Sequence, residues 1–155
     1  MAKKRDTAKI SVEAIAEQCI AVRLRMLSRA VTRIYNQALR PYGLTTSQMN
    51  ILVAISCLGE ARQQDVCQAL HLEKSTLSRD VARMRSQGWL DAISGEDGRT
   101  ALLRITPAGR RLLEAAIPAW QQAQEQATAL LGEREVRTFG QAATTLRVKS
   151  QTARR

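Results

Sequence analysis

The chain has 155 residues; 45% are apolar but only 3% aromatic, and 24 Lys and Arg face 14 Asp and Glu for a net charge of +10. That length fits one domain with a buried core, and so few aromatics favour packed helices over a β-sandwich. The charge points to a polyanionic partner, nucleic acid before anionic membrane; no apolar run reaches bilayer length and no signal-peptide pattern opens the chain, which predicts a soluble, cytoplasmic protein.

Residues 1–10 are mostly polar and basic without periodicity and read as a flexible arm. From about Ser11, apolar or small residues recur every three or four positions: Ile15, Cys19, Val22, Met26, Ala30, Ile34 and Ala38. Neither Gly nor Pro intervenes before Pro41, so the spacing predicts one continuous helix over 11–41. Ile20, Leu24, Leu27 and Val31 widen its apolar face. A helix this long and this apolar is expected to pack on its own domain and on a second subunit.

The second helix has a sharp start. Thr45 and Gln48 stand at capping-box spacing, and Leu44 and Met49 sit where a hydrophobic staple closes. Met49, Leu52, Val53 and Ser56 are the expected core face, and Gly59 the expected left-handed stop. Residues 62–70 form a short helix with Val66, Ala69 and Leu70 inward. A break at His71-Leu72 leads to a helix over about 73–87 whose inner face is Leu77, Val81 and Met84. Two short helices joined this tightly suggest a helix-turn-helix, a motif that alone gives many false matches.

The next elements strengthen that reading. Gly88 ends the helix; residues 89–93 and 100–105 can pair as a hairpin with Asp97-Gly98 as turn chemistry. Thr106-Pro107 then marks a new helix, Thr as N-cap and Pro at its first position. It carries Leu112, Leu113, Ala116, Ile117, Trp120, Ala127 and Leu130 up to Gly132, with a kink expected at Pro118. A last helix over 133–149 presents Val136, Phe139, Ala143 and Leu146. The fold class is therefore mainly α with a small β-hairpin wing (α+β), in one domain spanning 1–155. A winged helix-turn-helix lobe at 45–106 stands between long amino- and carboxy-terminal helices at 11–41 and 107–149.

Outside the inner residues of helix 73–87 lie Ser75, Thr76, Ser78, Arg79 and Arg83. Short hydroxyls let the backbone come close, and an arginine reads guanine O6 and N7 through two parallel bonds. Arg79 is the expected base reader, with Ser75 and Thr76 divided between base and phosphate. Lys74 and Arg83 are expected on phosphates, which position the protein without specifying sequence. Arg85 reads as a solvated charge. Arg99, at the hairpin tip, suits the negative potential of a narrow minor groove.

The order of elements resembles the MarR family of winged helix-turn-helix regulators. The residues that carry the resemblance are Leu72-Glu-Lys-Ser-Thr-Leu-Ser-Arg79, Gly88-Trp-Leu90, Glu96-Asp-Gly-Arg99 and Leu103-Arg-Ile-Thr-Pro-Ala-Gly-Arg110. It covers residues 11–149. At the wing many members have Asp-Arg-Arg where this chain has Asp97-Gly98-Arg99, so a second arginine contact is missing. The resemblance implies that Asp97 orients the Arg99 guanidinium, and that the first helix, the last helix and the distal part of the fifth interlock into a homodimer. Such a dimer would read a palindromic operator on double-stranded DNA. It also implies a repressor released by a small, often anionic or phenolic, effector.

Other classes are weaker. The sole histidine is His71, and neither Gly-x-Ser-x-Gly nor a Walker loop is present, which argues against an enzyme. Cys67 and His71 stand four apart without further ligands nearby, so neither a metal nor another cofactor is expected. Cys19, Cys57 and Cys67 are an odd set that suits a reducing compartment. The alternatives kept open are a thiol-redox-responsive regulator acting through Cys19, and a winged-helix scaffold for protein or RNA interaction.

Overall fold

A computed structural model describes residues 11–95 and 100–152, apart from the side chains of 147–152. Its described part falls into two compact units that meet in sequence between Arg33 and Ile34.

The first unit holds α1 (Val12–Gln18) and most of α2 (Ile20–Leu39). Ser11 caps α1, its hydroxyl accepting from the Ala14 N–H at 3.1 Å. Here the structure corrects the expectation of one unbroken helix. Cys19 leaves the helical region at φ −65° and ψ 111°. No Gly or Pro forces this. The Arg23 guanidinium donates to the Glu17 carbonyl, the acceptor that an unbroken helix would give to the Ala21 N–H. No residue of α1 is buried, so packing does not hold the missing turn in place.

The second unit begins inside α2, which ends through a 3₁₀ turn, Arg40–Tyr42, and Gly43 in the left-handed region at φ 68°. Helix α3 (Thr46–Leu58) starts as the sequence predicts. The Gln48 N–H donates to Thr45 Oγ1 at 3.2 Å and the Thr45 N–H to Gln48 Oε1 at 3.0 Å. Leu44 and Met49 are both buried beside this cap. The inward face differs from the expected one. Ile51 and Ile55 join Met49 and Leu52 in the core, whereas Val53 is 41% exposed and Ser56 half-buried. The reason is tertiary: α3 packs on α4, α5, β2 and α6, and the arc that meets these neighbours is centred on Gln48, Leu52 and Ile55. Gly59 has positive φ but ψ of −102°, so it stops the helix outside the left-handed well.

Helix α4 (Gln63–Leu70) buries Val66 but leaves Ala69 exposed, against expectation; on eight residues only one narrow stripe can face inward. Helix α5 (Lys74–Ser86) buries Leu77, Val81 and Met84, as the spacing predicts. Strands β1 (Leu90–Ser94) and β2 (Ala101–Ile105) pair antiparallel, with Leu90 opposite Ile105 and Ser94 opposite Ala101. Ala61 adds a bridge to Leu103, through N–H to O bonds of 3.0 and 2.8 Å, and so ties the hairpin base to the end of α3. Arg104 lies 3.9 Å from both Glu60 and Asp91 on the exposed side, which adds little stability.

Helix α6 (Pro107–Leu131) runs through Pro118, and α7 (Glu133–Thr152) follows Gly132. The residues α6 buries fully are small: Gly109, Ala116, Ala119, Ala123 and Ala127. Its large apolar side chains Ile117, Trp120 and Leu130 are 40–58% exposed, and α7 likewise exposes Phe139 and Leu146. Tyr35 donates its hydroxyl to Gln124 of α6, and burial pushes its phenol pKa up. Among the described residues no helix is long and apolar enough to cross a membrane, and no cluster of three or more His, Cys, Asp or Glu could hold a metal ion.

Candidate nucleic-acid interface

The site is built on the pair α4 and α5. Helix α4 ends at His71, whose backbone lies in the left-handed region (φ 51°, ψ 42°). Its N–H reaches back to the Gln68 carbonyl, and the Leu72 N–H to Cys67 at 3.0 Å. That one residue reverses the chain so that Glu73 can begin α5 three residues after α4 stops. Asp65 steadies the other end of α4, accepting from the Arg62 N–H at 3.2 Å.

With Leu77, Val81 and Met84 buried, the opposite face of α5 is fixed by helix geometry. Lys74, Ser75, Arg79 and Arg83 are exposed, and Thr76 is half-exposed. Lys74, about 60° from Leu77, is exposed at the start of the helix and not on that opposite face. Ser75, Thr76, Arg79 and Arg83 therefore share one solvent-facing strip. Ser78 does not: it is half-buried, and its hydroxyl donates to Gln63 Oε1 of α4 at 3.3 Å. Asp80, on the other shoulder of the helix, accepts from the Ser47 hydroxyl of α3 at 2.7 Å. Sequence reading missed Ser47, Gln63 and Asp80. The available signal was position, since 78 and 80 flank the buried stripe rather than face away from it.

The electrostatics at the start of α5 are mixed. The N-cap is the exposed Glu73, whose side chain makes no capping hydrogen bond, and the first turn carries Lys74 and no acidic residue. The uncapped N–H groups and Lys74 favour an anion there, and Glu73 opposes one. Asp97 and Arg99 lie outside the described residues, as does the Asp97-Gly98 turn; the strands that lead to them are in place. Cys19 is half-exposed at the junction of α1 and α2, well separated in sequence from this strip.

A model of the MarR family matches residues 42–100, the stretch from the 3₁₀ turn before α3 to the residue before β2. The transcriptional regulator MOSR of M. tuberculosis, solved in complex with DNA, is 32% identical; the match covers 84% of this chain and 99% of that one, with a TM-score of 0.68. This chain belongs to the MarR family. A MarR variant from E. coli, solved in complex with operator DNA, shares the fold at 21% identity and a TM-score of 0.77, over 88% of this chain and 99% of that one. The HTH-type transcriptional regulator YwoH of Bacillus subtilis is 29% identical over 56% of this chain. That match spans 64% of YwoH, less than two thirds of its length. These MarR-type relatives are described as transcriptional regulators, not as enzymes.

Proposed function

We propose that this chain is a sequence-specific, double-stranded-DNA-binding regulator of transcription that works in the cytoplasm as a homodimer. Helix α5 enters the major groove. Arg79 reads a base, Ser75 and Thr76 contact bases or phosphates, and Lys74 and Arg83 hold phosphates. Arg99 enters the minor groove with Asp97 orienting it. The observation that carries this reading is the exposed strip of Ser75, Arg79 and Arg83 opposite the buried Leu77, Val81 and Met84, with Lys74 exposed at the helix start. The M. tuberculosis regulator MOSR and the E. coli MarR variant were solved with DNA, the latter with its operator.

One winged lobe grips few phosphates, so tight specific binding calls for two copies on a palindrome, with half-sites about one helical turn apart. The exposed Ile117, Trp120, Leu130, Phe139 and Leu146 supply apolar surface for that pairing. We read the chain as a repressor released by a small anionic or phenolic effector. In a fold relative from Bordetella bronchiseptica, BpsR, DNA binding is regulated by 6-hydroxynicotinic acid. Selection of bound duplexes from a random pool tests the DNA-reading role and the two-fold pairing. A palindromic consensus is expected; binding indifferent to duplex sequence would transfer the fold to a scaffold role.

A further inference from the structure

We propose that Asp80 and Ser78 are positioning residues that set the roll of α5 about its own axis, through Ser47 on α3 and Gln63 on α4. This inference rests on the DNA-reading role of α5 proposed above. The two residues stand on opposite shoulders of the helix. At 100° per residue, with Leu77 pointing inward, Ser78 lies about 100° to one side and Asp80 about 60° to the other. Each shoulder is tied to a different helix: Asp80 Oδ2 accepts from Ser47 Oγ at 2.7 Å, and Ser78 Oγ donates to Gln63 Oε1 at 3.3 Å.

The buried residues between them cannot do this alone. Leu77, Val81 and Met84 hold α5 down, but apolar contact is non-directional and tolerates a small roll. With side-chain tips about 6 Å from the axis, a roll of about 20° moves the Arg79 head about 2 Å, enough to break a two-bond contact with guanine. Hydrogen bonds on both shoulders oppose rolling in both directions. The Ser47–Asp80 bond is the stronger: it is charge-assisted, and Ser47 lies in the first turn of α3, whose dipole favours a carboxylate. Asp80 is thus a carboxylate on the DNA-reading helix that is turned toward α3.

The test uses the full-length protein and a selected duplex beside a scrambled one, each titrated over a range of salt. Ser47→Ala and Asp80→Ala should each weaken binding to the selected duplex about tenfold, the loss of roughly one base contact. The salt slope should stay unchanged, because no phosphate contact is removed. Binding to the scrambled duplex should be unchanged for Ser47→Ala and unchanged or tighter for Asp80→Ala, which also removes a negative charge. The double variant should lose no more than either single one. Ser47→Thr, which keeps the hydroxyl, should restore binding. Tighter binding of the selected duplex by Asp80→Ala, a smaller salt slope, or equal losses on both duplexes with a lower melting temperature would each overturn the proposal. Wild-type protein without preference between the duplexes would overturn the DNA-reading role itself, an outcome distinct from a preference that the variants leave intact.

Discussion

The hydroxyl of Thr106 donates to the carbonyl oxygen of Gly88 across 2.6 Å and accepts from the Gly109 N–H at 3.0 Å. The Thr106 N–H donates to the Trp89 carbonyl at 3.0 Å. One buried residue thus joins the end of α5 to the start of α6. Replacing it with Ala removes the α6 cap and leaves the Gly88 carbonyl short of a partner. Thr106→Ala should cost about 1–3 kcal/mol. Urea unfolding should show a lower midpoint with an unchanged slope, and Thr106→Ser should recover most of the loss.

Gly109 lies in the same turn for a different reason. A Cβ there would stand 2.2 Å from the Trp89 backbone oxygen. Ala is the better helix former by about 1 kcal/mol, so in open space Gly109→Ala would stabilise α6. Here the backbone oxygen cannot swing aside as a side chain could. We expect a net loss of roughly 1–3 kcal/mol, the usual range for overpacking. A raised melting temperature would contradict the close approach.

His71 has the one positive φ among the described non-glycine residues. The left-handed conformation costs an L-residue about 1–2 kcal/mol that glycine does not incur. His71→Gly should therefore raise stability, by less than that because glycine also gains freedom in the unfolded chain. A fall in the unfolding midpoint would mean that the imidazole makes a contact worth more than the strain.

Binding variants should separate by kind. Arg79→Ala should cost about 1–3 kcal/mol on the selected duplex and relax preference at one base pair. Lys74→Ala should weaken all duplexes alike and reduce the salt slope by about 0.9. Arg99→Ala should weaken binding broadly while circular dichroism and melting stay as in wild type. Unchanged affinity for Arg99→Ala in a mobility-shift titration would remove the wing contact.

Tyr35 provides a pH signature. Burial raises its phenol pKa above the ordinary value of 10.0. The folded state then holds the phenolic proton more tightly than the unfolded chain. The associated stability is present below pH 10 and is lost as pH rises through the folded value. Tyr35→Phe gives up the bond to Gln124 but should lose stability less steeply than the wild type as pH rises above 10.

Local signals in the sequence were enough wherever one or two residues decide the backbone. The Thr45–Gln48 box, the Thr106-Pro107 start, the stop at Gly88 and the Leu77, Val81, Met84 stripe are all decided within a few residues. They establish the winged helix-turn-helix order and the outward strip of α5. Contacts between elements were not legible. The expected face of α3 held Met49 and Leu52 but was rotated toward Val53 and Ser56, because four neighbours, not its own periodicity, choose what it buries. The break at Cys19, where the Arg23 side chain takes the Glu17 carbonyl, carries no Gly or Pro signal. Composition and periodicity determined which helix could read DNA. Only the packing of α3 and α4 against it decided that Ser78 turns inward and Asp80 faces Ser47, because a hydrogen bond across helices depends on distances that sequence spacing does not contain.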